Sequence, residues 1–200
     1  MLNRGFRSKI PYVLAGGLGS TSLVATYGYT RKHKTIIIFD IDHTLVHAHK
    51  NKELQTLSLT IFKKPDFSFE LENDGNKTVT KYDVWKRPYV DIVIPVLSIF
   101  ATLHIFTSAK KEYADKILDN MSINKYFEKR YYREEWKTTS SKSLTIFDGD
   151  SNNKLLVDDR SFNNSKNDEP ESFYHISPFY FYNKNDKELL KFLGKWIFCL

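Results

Sequence analysis

Cysteine is almost missing from this chain. Cys199 is the only one in 200 residues, which excludes an intrachain disulfide and a zinc cluster and leaves no reliance on redox chemistry. Acidic residues are missing before Asp40, where Arg4, Arg7, Lys9, Arg31, Lys32 and Lys34 supply six positive charges. The remaining 24 Lys and Arg are matched by all 24 Asp and Glu, so the body is neutral and the net charge of +6 belongs to the N-terminal segment. A nucleic-acid surface needs its excess on the folded domain, so nucleic acid is not expected as a partner. There is no internal repeat, and no insertion is long enough to form a large cap domain.

What is present begins with an uncharged run. Residues 10–30 carry no charge, are flanked by basic clusters, and include Gly16, Gly17, Gly19 and Gly28. A span of ~20 mostly apolar residues crosses a bilayer as a helix, and small residues pack well at membrane helix interfaces. The absence of acids with early Arg4 and Arg7 also fits a mitochondrial targeting segment. Residues 1–33 are therefore expected to be a basic, glycine-rich targeting or single-pass anchor segment. The mitochondrial inner membrane is the favoured location, with the endoplasmic reticulum or nuclear envelope as the alternative. Three basic residues on each side leave the orientation undecided.

The body, 34–200, is of ordinary globular composition, with 41% hydrophobic and 27% charged residues in the chain as a whole. Thr35 to Phe39 is a continuous β-branched and aromatic run, read as a strand buried on both faces. Leu103 to Phe106 and Lys154 to Val157 read the same way. Lys110 to Met121 has apolar residues at helical spacing, and Asp186 to Phe198 reads as a closing helix. Alternating stretches at 57–62, 67–71 and 79–85, with an Asn73-Asp74-Gly75-Asn76 turn, predict an antiparallel insertion. For 89–100, Val90, Ile92, Val93, Ile94 and an internal Pro95 favour a strand or a kink. Parallel-type strands alternating with helices put ligands outside the strands' carboxyl ends.

Polar residues cluster at those ends. Asp40-x-Asp42 alone is also a common way to cap or turn a strand end. Asp158-Asp159 after another hydrophobic strand changes the balance, because four carboxylates at one sheet edge repel unless a cation sits among them. Hard oxygen ligands without His or Cys point to Mg²⁺.

Asp40-Ile41-Asp42-His43-Thr44-Leu45 resembles the D-x-D-x-T signature of the haloacid dehalogenase superfamily. Lys86-Arg87-Pro88-Tyr89-Val90-Asp91, Ile105 to Ala109 with Tyr113-Ala114-Asp115, Lys142-Ser143-Leu144, and Leu156 to Ser161 narrow the resemblance. They are similar to motifs of the phosphatases acting on the RNA polymerase C-terminal domain, including the Dullard and NLI-interacting-factor-like groups, over roughly residues 34–198. The resemblance implies an α/β, three-layer parallel-sheet haloacid dehalogenase-like domain with a small antiparallel insertion, and makes 89–100 helical. It implies that Asp40 becomes an aspartyl-phosphate and that Asp42 is the general acid and base. Thr44, Thr107 and Lys142 are implied to bind phosphate. Asp40, Asp42 (through its carbonyl), Asp158 and Asp159 are implied to hold Mg²⁺.

The activity implied is that of a Mg²⁺-dependent protein serine/threonine phosphatase acting on a phosphorylated protein or peptide. The alternative is a presequence receptor subunit of the mitochondrial inner-membrane import translocase, with translocase partners, built on the same fold. A small-molecule phosphatase is a third reading, disfavoured by the lack of a cap. His43, His47 and His49 are read as flanks of the signature loop rather than as ligands, and Arg87 as a structural residue.

Overall fold

Thr35 leads into β1 (Ile36–Phe39), where Ile37, Ile38 and Phe39 are fully buried on both faces of a sheet. In this computed structural model the described residues are 35–50, 64–72, 78–135, 142–147, 153–161 and 172–198. The anticipated segment 1–33, the stretch 57–62 and the turn 73–76 lie outside them.

The remaining strands are β2 (Val46–Lys50), β3 (Phe67–Glu72), β4 (Val79–Lys86), β5 (Thr102–Phe106), β6 (Phe127–Tyr131), β7 (Lys154–Asp158) and β8 (Phe173–His175). The helices are α1 (Val90–Phe100), α2 (Lys111–Asp119) and α3 (Glu188–Phe198). The main sheet is wholly parallel, in the order β6-β5-β1-β7-β8. The three strands anticipated from buried apolar runs form its centre. A separate antiparallel sheet, β2-β4-β3, contains the expected strands 67–71 and 79–85, and its third strand is β2, which was not anticipated. Its register pairs Glu72 with Val79, so β3 and β4 run antiparallel on either side of the anticipated turn.

One face of the main sheet, through Ile37, Phe39, Leu103, Ile105 and Val157, packs against side chains of all three helices. The opposite face, through Ile38, Phe106 and Leu156, is covered among the described residues by Leu144 and Phe147, around a single 3₁₀ turn.

Residues 90–100 correct the local reading: they form a helix, with Pro95 inside it. Val90, Val93, Ile94 and Leu97 are buried at i, i+3, i+4 and i+7, and burial of that stripe overrides β propensity. Pro95 costs one bond, to the carbonyl of Asp91, and because Asp91 is exposed, water can serve that carbonyl.

Candidate active site

Asp40 leaves β1 still tied to the sheet, its N–H donating to the Val157 carbonyl at 3.0 Å. The register Phe39↔Val157 sets Asp158 beside it, and Phe39↔Ile105 sets Thr107 one residue further along the neighbouring strand. The chain then turns tightly: Leu45 N and Val46 N both donate to Ile41 O, and His43 sits at φ 59°. That left-handed conformation is uncommon for a residue with a side chain. Two hydrogen bonds hold it, His43 N to Val46 O and Phe179 N to His43 O.

Lys142 is the electrostatic centre. Its buried ammonium donates to Asp40 Oδ1 and Asp158 Oδ2, both at 2.6 Å. Burial alone pushes that ammonium down, but the two carboxylates outweigh it and raise its pKa. Burial raises the Asp40 carboxyl to about 7, with Lys142 opposing and Asp158 adding to the rise. Asp158 is closed off further by the Arg160 N–H at 2.8 Å.

Asp40, Asp158 and Asp159 each offer a carboxylate oxygen, all within 4.8 Å of one another. Asp159 Oδ1 is buried with no hydrogen-bond partner among the described residues. An orphaned acceptor beside two more carboxylates fits a hard divalent cation such as Mg²⁺. Burial and Asp158 both raise Asp159, as expected for a site short of one positive charge.

The Asp42 carboxylate is not part of that trio. It accepts a 2.7 Å hydrogen bond from the Tyr113 hydroxyl on α2. Burial raises Asp42 despite this donor, which favours its protonated form. Tyr113 in turn packs its ring 5.2 Å from Tyr82 and 5.8 Å from Phe69, both of the insertion sheet. Sequence reasoning gave Tyr113 no role; its signal was its place in the second motif, six residues after Thr107.

Thr44 is fully buried and its Oγ1 has no partner among the described residues. Thr107 accepts from Ala109 N at 3.1 Å, which leaves its hydroxyl hydrogen free to donate. His43 and His47 pack with aromatic residues: their rings lie 5.0 Å apart, with Tyr180 at 5.0 and 5.5 Å and Trp85 6.2 Å from His47, and the His49 ring lies 5.8 Å from that of His47. Burial, with His43 and His49 adding, lowers His47 to about 4.

Arg87 is structural, as read. It is buried, makes a two-pronged ion pair with Asp186 at 2.9 Å, and donates to the carbonyls of Thr44 at 3.0 Å, His43 at 3.3 Å and Ser177 at 2.5 Å. It thereby ties the signature loop to the segment leading into α3.

A parallel sheet with an aspartate, a buried lysine and an acidic trio at its carboxyl edge is the arrangement of the haloacid dehalogenase class. Within that class a family model described as NLI interacting factor-like phosphatase matches residues 35–197, and the chain belongs to this family. Residues of CTD nuclear envelope phosphatase 1B from Danio rerio are 29% identical over 129 positions, covering 62% of this chain and 51% of that protein. CTD nuclear envelope phosphatase 1 from Xenopus laevis is 25% identical over 163 positions, covering 79% and 66%. Nuclear envelope morphology protein 1 from Saccharomyces cerevisiae is 33% identical over 108 positions, covering 53% and 23%. The chain thus spans between about a quarter and two thirds of these relatives. Among solved structures, Fcp1, an essential RNA polymerase II CTD phosphatase, superposes with a TM-score of 0.62 at 20% identity, covering 86% of this chain and 52% of that one. A beryllium fluoride complex of the fission yeast enzyme gives 0.61 at 18%, covering 88% and 54%. At these identities the structures establish the fold.

Proposed function

We propose that the chain is a Mg²⁺-dependent protein serine/threonine phosphatase working through an aspartyl-phosphate on Asp40. The observation that carries this reading is the buried Lys142 ammonium bridging Asp40 and Asp158 beside an orphaned Asp159 oxygen. A purely structural ion pair has no use for a third carboxylate with a buried, unpartnered oxygen.

Asp40 attacks phosphorus in line, forming one P–O bond as the bond to the serine or threonine oxygen breaks. Asp42, its pKa raised and its carboxyl aimed by Tyr113, gives its proton to the departing oxygen. It then takes a proton from the water that attacks phosphorus, and the acyl phosphate bond breaks to restore Asp40. Lys142 offsets charge on the phosphoryl oxygens, and Thr44 and Thr107 donate hydroxyl hydrogens to them. Asp40, Asp158, Asp159 and the Asp42 carbonyl hold Mg²⁺, which when bound screens the anionic nucleophile from the anionic phosphate.

The substrate class follows from relatives named as CTD phosphatases. Residues 10–30 are the proposed anchor; among the described residues no helix is long and apolar enough to cross a membrane. Relatives named for the nuclear envelope favour the endoplasmic reticulum or nuclear envelope over the mitochondrial inner membrane. The presence of both Asp40 and Asp42, with the Lys142 ammonium on Asp40, favours catalysis over an import-translocase receptor, which needs no nucleophile.

The full chain is expected to hydrolyse an aryl phosphate and a phosphoserine peptide in Mg²⁺, with Asp40→Asn abolishing both. Turnover by that variant at the parent's rate overturns the proposal.

A further inference from the structure

Helix α1 is apolar nearly all round. Its buried stripe faces the sheet, yet Ile92, Ile99 and Phe100 are 58%, 69% and 55% exposed. Ile197 on the neighbouring α3 is 39% exposed, and the Phe100 ring lies 6.4 Å from that of Trp196. An apolar face of this kind on a helix at the surface marks a place where something else belongs.

The position of the patch identifies what covers it. Two residues beyond Phe100, Thr102 N donates to Thr35 O at 3.0 Å, so the end of α1 lies where the chain enters β1. Only residues 31–34 separate Thr35 from the uncharged run 10–30, a reach of at most ~14 Å. Three of those four, Arg31, Lys32 and Lys34, are cations suited to phospholipid headgroups. Beside the patch, α1 has no acid after Asp91 and α3 has none after Glu188, which pairs with Lys191, while Lys195 is exposed. Asp40, Thr107 and Asp158 sit at the other ends of the same parallel strands.

We propose that this edge of the domain, through Ile99, Phe100 and Ile197, rests on the bilayer that residues 10–30 enter, with the Asp40 edge turned to the aqueous side. The inference rests on the anchor reading of residues 10–30 and is independent of the chemistry. Short basic tethering brings the patch to the interface, and burial of its apolar surface there holds the domain in one orientation. A phosphorylated protein in the aqueous phase then meets the catalytic edge without rotation of the domain.

The test uses the full chain in vesicles of phosphatidylcholine and phosphatidylserine, with Cys199→Ser as background. A single cysteine at Ile99→Cys, and in a second protein at the exposed Lys184→Cys, carries an environment-sensitive fluorophore. The label at 99 is expected to shift to the blue and to lose intensity when doxyl-labelled lipid is included, while the label at 184 does neither. Emission at 99 as water-like as at 184 overturns the docking, and vesicle flotation then tells whether the anchor fell with it. A blue shift at 99 without quenching by labelled lipid also overturns it, because residues 10–30 or a second copy then cover the patch. Phe100→Asp is expected to abolish the quenching at 99 while vesicle flotation and aryl phosphate turnover stay unchanged. Turnover is read separately, so its loss bears on the phosphatase reading alone.

Discussion

At the scale of single residues, the site depends on which carboxylate oxygen meets which donor. Asp40 and Asp42 are two positions apart, yet one faces an ammonium and the other a phenol. Burial raises both carboxyls, but only Asp40 is held by a cation, and under the proposed mechanism that contact positions the nucleophile while the Tyr113 hydroxyl aims the acid. Tyr113→Phe removes the donor that stabilises the Asp42 carboxylate, so Asp42 rises further and keeps its proton to higher pH. The expected result is a pH–rate profile displaced to higher pH, with kcat lowered about tenfold, the worth of one hydrogen bond to a charged group. An unchanged profile removes Tyr113 from the mechanism. The pairing was not legible beforehand, because a tyrosine on an amphipathic helix reads as core until the helix is docked.

At the scale of elements, two links fasten the insertion and the signature loop to the segment 177–186 that leads into α3. The first is Arg87, at the β4–α1 junction, which serves Asp186 and three carbonyls at once. Arg87→Met leaves Asp186 buried without its cation, a loss of roughly 3–5 kcal/mol on the scale of broken buried pairs. Urea unfolding is expected to show the double variant Arg87→Met, Asp186→Leu costing clearly less than the two single changes added together. The second link is His47 on β2, buried against Trp85 and Phe181. Its folded pKa of about 4 lies below the ordinary 6.5, so the unfolded chain binds the extra proton. Stability from this residue is complete above pH 6.5 and is lost as pH falls toward 4, by about 2 kcal/mol between pH 7 and pH 5. NMR titration is expected to find the His47 ring still neutral at pH 6, and His47→Phe is expected to flatten the urea midpoint over that range.

At the scale of the whole molecule, the described residues are organised by polarity along the sheet: the exposed apolar side chains Ile99, Phe100 and Ile197 at one end, the carboxylates of Asp40, Asp158 and Asp159 at the other. Parallel strands impose this, since all of them point their carboxyl ends the same way. A cation at the acidic end stabilises the folded state by mass action. The melting temperature is therefore expected to climb with the logarithm of Mg²⁺ concentration. Asp159→Asn is expected to lose that dependence and the exposed Asp119→Asn to keep it. A Mg²⁺ response surviving in Asp159→Asn places the ion elsewhere.

The sequence alone determined the three central strands, the acidic residues at their ends and the closing helix, because buried parallel strands are near-continuous apolar runs that local pattern reveals. It did not determine the edge strands: β6, Phe-Glu-Lys-Arg-Tyr, and the three-residue β8 carry too little apolar signal to be seen without their neighbours. Nor did it determine α1, whose β-branched residues and Pro95 argue locally for a strand and became helical by burying one stripe against the sheet. Tertiary structure also decided that Lys142, 102 residues from Asp40 along the chain, meets it at 2.6 Å. Side-chain pairing across such distances is a property of packing, which no local spacing encodes.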